Sequence, residues 1–116
     1  MNYKVSNPTK VVECEIDLPS SKSISNRLLI IKALCEEDFT ITNLSDSDDT
    51  KSLQKALNSA DKIIDVGAAG TSFRFLTSYL STLVGKEFNL TGSDRMKVRP
   101  IQQLVDVLSK MGSQIE

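Results

Sequence analysis

Two segments of the sequence place cations and small hydroxyl residues where a helix is expected to begin. The first is LPSSKSISNR, residues 18–27. Ser23 and Arg27 are one helical turn apart and share a face, while Lys22 lies at the helix entry. A helix start offers unpaired N–H groups and the positive end of the dipole, so a phosphate would bind those groups, the Ser23 hydroxyl and both cations. The alternative interpretation is a serine cap with solvated cations.

The second segment, LTGSDRMKVRP, residues 90–100, carries Arg95, Lys97 and Arg99 at alternate positions. In an extended backbone, alternate side chains point to the same side of the chain. These three cations would then form a clamp for a carboxylate or a phosphate. An exposed basic loop is the alternative interpretation.

A glycine-containing stretch, GAAGTSFR, residues 67–74, adds Gly70 and Thr71 at a third expected helix start. It is not a Walker motif, because no Gly-Lys-Ser/Thr ending follows, and it does not match GxGxxG. A tight turn from a strand into a helix explains it as well as a phosphate loop does. Three helix starts of one kind favour a small ligand that carries several negative charges.

The composition excludes several classes of protein. The net charge of −1 argues against general nucleic-acid binding, which needs a broad positive surface. The aromatic content of 5%, without tryptophan, disfavours base stacking. The absence of histidine removes histidine-based triads and metal sites. No apolar run approaches the roughly 20 residues of a membrane span, so neither a membrane nor a nucleic acid is an expected partner.

The cysteines and the acidic residues give no sign of a metal or cofactor. Cys14 and Cys35 match no metal-ligand spacing and are too few for a disulfide framework. They are predicted to be buried thiols in a reducing cytoplasm. Asp46, Asp48 and Asp49 are explained better by helix capping than by a metal site.

The periodicity of the sequence predicts alternating helices and strands, and therefore an α/β fold of one domain. A stripe of Ile24, Leu28, Ile31 and Cys35 is predicted to face the core from the first helix. Proline at position 100 is expected to open the last helix. The predicted helices are 23–35, 48–59, 71–84 and 100–111, and the predicted strands are 11–18, 39–44, 62–66 and 87–91, with another beginning at 113.

The pattern repeats along the chain. Five positions in the first predicted helix and its following strand match positions 49 residues later, among them Ser23 with Ser72 and Phe39 with Phe88. The chain is therefore predicted to contain two copies of a helix–turn–strand–loop–helix–strand unit. Coincidence between two amphipathic helix–strand pairs is the alternative.

Four segments, taken together, resemble the N-terminal part of the 5-enolpyruvylshikimate-3-phosphate synthase family, from about Val11 to Glu116. LPSSKSISNR resembles the family's LPGSKSxSNR, and TNLSDSDDT follows where the family has a similar stretch. GAAGTSFR resembles GNAGTAxR, and LTGSDRMKVRPIQQLVDVL resembles LTGxxRMxxRPIxxLVDAL. Four motifs in the same order are far more specific than any one of them.

The resemblance implies a fold of two domains, each built from three βαβαββ units. On this basis residues 20–116 would form about two units of a substrate-binding domain. Residues 1–19 would form a strand and crossover that pair with the family's C-terminal domain, and the remainder of the synthase is an expected partner.

The resemblance also implies transfer of the enolpyruvyl group from phosphoenolpyruvate to shikimate 3-phosphate, with no metal or organic cofactor. By this resemblance Lys22 is catalytic and touches both substrates, while Ser23 and Arg27 hold shikimate 3-phosphate. Gly70 and Arg99 would contact phosphoenolpyruvate, with Thr71 at the same turn.

The sequence departs from the family at identifiable places. Ala68 stands where many members have asparagine, and Phe75 replaces a common proline. The family's acid/base carboxylates lie further along than Glu116, so the isolated chain is expected to be inactive. Two alternatives stay open: a related UDP-N-acetylglucosamine enolpyruvyl transferase, which the KSISNR and RMKVRP segments disfavour, and a non-catalytic anion-binding module of the same fold.

Overall fold

The computed structural model describes residues 1–116 and contains five helices and two short strands. Residues 1–19 are exposed and form neither helix nor strand. The elements are α1 Lys22–Leu34, α2 Asp48–Leu57, β1 Ile63–Asp65, α3 Gly70–Leu80, β2 Asn89–Thr91, α4 Asp94–Lys97 and α5 Gln102–Lys110.

Serine hydroxyls cap the first two helices. The Ser21 hydroxyl accepts a hydrogen bond from the Ile24 N–H at 3.4 Å, and the Ser47 hydroxyl accepts one from the Thr50 N–H at 3.3 Å. The prediction for the start of α5 is wrong, because Ile101 is the N-cap residue and Pro100 precedes it. Gly112, directly after the C-cap of α5, has a φ of 105°, a conformation that favours glycine.

The two strands form a parallel sheet in which Ile64 lies opposite Leu90. Helix α3 connects the strands in the chain and also contacts β2. The pairing extends beyond the strand ends, since the Val66 N–H donates to the Thr91 carbonyl at 3.0 Å. The fold is therefore mixed α/β, and its parallel strands carry their carboxyl ends to the same edge.

The core lies between α1, α2, α3 and the inner face of β1. Leu53 of α2 and Leu76 of α3 are fully buried, and Ile64 and Val66 come from the sheet. Phe73 and Leu90 pack around this cluster while remaining half-exposed. Only eight apolar residues are buried in the whole chain, so the core is small and each member matters.

Three predicted strands are not formed. Residues 11–18 have no strand to pair with, and an unpaired extended segment has no ladder to stabilise it. Within residues 39–44, Asn43 has a φ of 57°, which interrupts an extended backbone, although Ile41 and Leu44 still pack against the core. Residues 113–116 likewise form no strand.

The predicted inner face of α1 is also wrong, and so is the burial of both cysteines. Ile24 and Ile31 are 61% and 49% exposed, whereas Ser25 and Asn26 are buried. These polar side chains point inward because they hold the segment that leads into α2. Ser25 Oγ accepts from the Ser45 N–H at 2.9 Å, and Asn26 Oδ1 accepts from the Thr50 hydroxyl at 2.8 Å. Cys14 and Cys35 are free and exposed.

Candidate anion-binding site

The start of α1 presents Lys22 and Ser23 in its first turn, directly after the Ser21 cap. Both residues are exposed, and Arg27 lies one turn further along. Arg27 Nη1 donates to the Ser23 carbonyl at 2.9 Å, which folds the guanidinium back toward the helix start. The three residues that the sequence grouped therefore lie together at one helix end.

Asp49 connects the starts of three helices. Lys22 Nζ lies 3.3 Å from Asp49 Oδ2, which joins α1 to the first turn of α2. The Ser72 hydroxyl donates to the Asp49 carbonyl at 2.8 Å, which joins α2 to the first turn of α3. The N-terminal ends of α1, α2 and α3 consequently meet at one place, and their positive dipole ends act there together.

The start of α3 lies beneath Arg99. A Cβ added to Gly70 would collide with Arg99 Nη1 and lie 3.2 Å from its Cζ, so the guanidinium covers the Gly70 backbone. Helix α3 has no side-chain cap, because its N-cap residue is Ala69. Thr71 is half-buried in the same turn. The first-turn N–H groups of α3 therefore have no side-chain cap, and the Arg99 guanidinium lies directly beside them because Gly70 has no side chain.

The predicted clamp of three alternating cations is wrong, because the backbone between 94 and 97 is the short helix α4. Buried Met96 anchors this helix, and the Met96 N–H donates to the Ser93 carbonyl at 2.7 Å. Lys97 turns back to Asp94 at 3.3 Å, and Arg95 is exposed. Of the three cations, Arg99 is the one that the structure brings to the start of α3.

Two contacts fix the segment that carries Arg99. Arg74 Nη2 donates to the Pro100 carbonyl at 3.2 Å and so ties α3 to the residue after Arg99. The Ser93 N–H donates to the Gly67 carbonyl at 2.9 Å and holds the start of α4 against the turn after β1. The site thus lies at the carboxyl ends of β1 and β2, where open α/β sheets commonly bind ligands.

Sequence reasoning missed two contributors to this site. Asp49 was interpreted as a capping residue, although its carboxylate pairs with Lys22. Arg74 lies within the GAAGTSFR segment, which predicts no role for it, although it donates a hydrogen bond to the Pro100 carbonyl. The sequence signal for both was their position inside matched motifs, whereas the contacts themselves join residues more than 20 positions apart.

The remaining electrostatic features lie away from the site. At the far end of α1, Lys32 Nζ lies 2.8 Å from Asp38 Oδ1, and this hydrogen bond and charge lower the pKa of the Asp38 carboxyl. Acidic and cysteine side chains do not gather in groups of three as metal ligands would. None of the helices is long and apolar enough to cross a membrane.

The structure is thus an α/β chain in which cations lie at the clustered starts of three helices, and this arrangement is a candidate anion-binding site. Comparison with known families identifies the chain more closely. The model of the family EPSP synthase (3-phosphoshikimate 1-carboxyvinyltransferase) matches residues 6–60 and 52–116. The two matches together cover almost all of the sequence, and the chain belongs to this family.

Individual relatives agree with the family match. The chain is 50% identical over 116 residues to a 3-phosphoshikimate 1-carboxyvinyltransferase of Bacteroides fragilis, across 100% of this chain and 28% of the relative. It is 42% identical over 135 residues to the enzyme of that name from Vibrio vulnificus, across 94% of this chain and 31% of the relative. The chain thus spans less than a third of the length of these curated relatives.

Proposed function

We propose that this chain supplies part of the active site that transfers the enolpyruvyl group of phosphoenolpyruvate to shikimate 3-phosphate, a step of the shikimate pathway. A substrate hydroxyl oxygen forms the new C–O bond to the enolpyruvyl group, the C–O bond to the departing phosphate breaks, and in the net reaction the hydroxyl proton leaves with the phosphate. Family membership supports the proposal. One geometric observation carries it: Asp49 links Lys22 of α1 to the start of α3, where Arg99 covers Gly70.

The start of α1 is proposed as the shikimate 3-phosphate side. Ser23 and Arg27 would hold this substrate, because a hydroxyl, a guanidinium and free helix N–H groups that suit an anionic group converge there. Lys22 would touch both substrates, since its ammonium lies where α1, α2 and α3 meet. Lys22 is therefore the proposed catalytic residue, and its charge would stabilise negative charge that develops during the addition and elimination.

The start of α3 is proposed as the phosphoenolpyruvate side. The Gly70 backbone and the Arg99 guanidinium would contact this substrate, with Thr71 in the same turn. No metal or organic cofactor is part of the proposal. Catalysis would come from holding two polyanions in register and from fixed cations, which are electrostatic and positional effects.

The repeated-unit architecture is part of the same proposal. Helix α1 packs on α2, and α3 packs on α5, so the two helix pairs are candidates for equivalent parts of two units. Residues 1–19 are proposed to pair with a further domain, which would supply the missing strand partner. Free Cys14 and Cys35 fit the proposed cytoplasmic location. An experimental structure in which α1 and α3 have unrelated neighbours would reject the duplication.

Arg27→Ala is expected to weaken the binding of shikimate 3-phosphate by about 10-fold, because one charge-assisted hydrogen bond contributes roughly 1.5–3 kcal/mol and solvent screens part of it. Affinity should also fall as salt rises. Lys55→Ala is the matched control, since it removes one positive charge from the last turn of α2. Isothermal titration calorimetry measures both, and equal losses in the two variants would contradict a local site.

Gly70→Ala is expected to displace Arg99 and weaken the binding of phosphoenolpyruvate while leaving the fold intact. The new Cβ meets the far end of a flexible side chain, which swings away. Alanine is also about 1 kcal/mol better than glycine in a helix, so thermal stability should not fall. Arg99→Ala should produce a similar loss in a binding titration. If the Gly70→Ala/Arg99→Ala double variant binds phosphoenolpyruvate more weakly than Arg99→Ala alone, Gly70→Ala does not act by displacing Arg99.

The isolated chain is expected to bind shikimate 3-phosphate weakly and to show no turnover. Lys22, Ser23 and Arg27 are exposed in this chain, so water screens the cations and competes for the substrates. The assay is phosphate release from the two substrates, with Lys22→Ala prepared in parallel to detect contaminating enzyme. Turnover that disappears in Lys22→Ala would show that these residues form a complete active site.

A further inference from the structure

The ring of Phe75, on α3, lies against a residue of the candidate site that belongs to α1. The Arg27 Cζ is 5.7 Å from the centroid of the Phe75 ring, within the range of a cation–π interaction. Phe75 is half-buried and packs against the core cluster, whereas Arg27 is exposed. A side chain anchored in the core thus supports an exposed one at the site.

We propose that Phe75 is a positioning residue that orients the Arg27 guanidinium for an anionic group of the ligand. The identity of that ligand rests on the proposed function, whereas the contact between Phe75 and Arg27 does not. The aromatic face of Phe75, and not only its volume, would then contribute to the binding of the anion by Arg27.

Arg27 is held by two partners and keeps most of its donors. Its Nη1 donates to the Ser23 carbonyl at 2.9 Å, and the Phe75 ring lies beside the guanidinium. None of the ion pairs in the structure includes Arg27, so no carboxylate competes with an incoming phosphate. A guanidinium has five N–H groups, so four remain for the ligand. An arginine that is already oriented loses less conformational freedom on binding.

The aromatic character of Phe75 is what the proposal needs. The face of an aromatic ring carries negative charge density that attracts a cation, whereas an aliphatic side chain of similar size fills the space without that attraction. Substitution by leucine therefore separates the two roles, because it keeps the packing against the core and removes the ring. Substitution by tyrosine keeps both.

A nuclear magnetic resonance experiment on the 116-residue chain tests the contact without any ligand. The side-chain signals of Arg27 should be displaced by the ring current of Phe75, and cross-relaxation should connect Arg27 Hδ with the ring protons in the unaltered chain. Phe75→Leu should move the Arg27 signals toward those of exposed Arg95, and Phe75→Tyr should not. Unchanged Arg27 signals in Phe75→Leu, or no cross-relaxation in the unaltered chain, would overturn the proposal.

Binding of inorganic phosphate and of shikimate 3-phosphate tests the consequence. Phe75→Leu is expected to weaken both by about two- to five-fold, the range of a cation–π contact at an exposed site, and Phe75→Tyr should restore the affinity. In an Arg27→Ala background, Phe75→Leu should add nothing. Phe73→Leu is the matched control on the same helix, because Phe73 packs against the core and has no cation over its ring.

The outcomes separate this proposal from the proposed function. If the unaltered chain shows the Arg27–Phe75 contact but binds neither probe, the anion site fails, and the positioning role fails with it. If the chain binds both probes and Phe75→Leu binds as well as the unaltered chain, only the positioning role fails. Weakening by Phe75→Leu that persists in the Arg27→Ala background would also overturn the proposal, because the ring would then act through general packing.

Discussion

Replacing Leu76 with alanine is expected to lower the free energy of unfolding by about 2–5 kcal/mol, the cost of removing a fully buried leucine and leaving a cavity. Leu76 is 0% exposed and lies in α3, the helix whose first turn carries Gly70 and Thr71. A core with so few buried apolar residues has little stability to lose, since whole domains are stable by only about 5–15 kcal/mol. The variant should therefore be largely unfolded at physiological temperature.

Thermal and urea unfolding, followed by circular dichroism, measure this effect. Leu34→Ala is the matched control, because it makes the same change in a helix at a residue that is 58% exposed. That variant should differ from the unaltered chain by about 0.5 kcal/mol or less. Similar midpoints for Leu76→Ala and Leu34→Ala would mean that α3 is not packed as the structure describes.

Replacing Gly92 with alanine is expected to destabilise the fold by about 1–3 kcal/mol, the usual cost of forcing extra volume into a packed site. Gly92 is buried after β2, and an added Cβ would lie 2.6 Å from the Gly67 carbonyl oxygen and 3.0 Å from Met96 Cβ. The carbonyl belongs to backbone and cannot swing aside as a side chain does. The turn after β1 must therefore move, which strains the hydrogen bond from the Ser93 N–H to the Gly67 carbonyl.

Ser93→Ala is the matched control for Gly92→Ala, since Ser93 is exposed and its side chain makes no capping bond to α4. It should leave the unfolding midpoint nearly unchanged. The contrast with Gly70→Ala is informative, because the obstacle there is a flexible arginine and the expected loss is in binding. A Gly92→Ala variant as stable as the unaltered chain would show that the Gly67 and Gly92 backbones are not in contact.

The helices follow directly from local sequence. The predicted helices 23–35, 48–59, 71–84 and 100–111 correspond to α1, α2, α3 and α5, and each begins within two residues of its predicted position. Ser21 and Ser47 cap the first two helices, and Gly112 follows the last. These features depend on neighbours in the chain, which are present in the sequence itself. Strands need partners from elsewhere in the chain. Residues 11–18 and 39–44 have none, so the strands that their local pattern predicts do not form.

The residues of the candidate site were also available from sequence, because cations, glycine and hydroxyl groups recur at helix starts and match family motifs. The contacts that bring these residues together could not be predicted from the sequence. Asp49 contacts both Lys22 and Ser72, each more than 20 residues away along the chain, and no local sequence pattern predicts such contacts. The predicted clamp of alternating cations does not form. The local alternation indicates an extended backbone, whereas the segment is a short helix whose Met96 is buried.

The sequence by itself determined where the helices begin, which residues carry the charges and to which family the chain is similar, because each of these depends on residue type and short spacing. The tertiary structure decided which face of α1 is buried. That helix is apolar on several sides, and the hydrogen bonds that Ser25 and Asn26 accept from the Ser45 N–H and the Thr50 hydroxyl turn these polar side chains inward and leave Ile24 and Ile31 exposed. It also placed Arg99 over Gly70 and Phe75 beside Arg27, because packing between distant elements fixes both contacts.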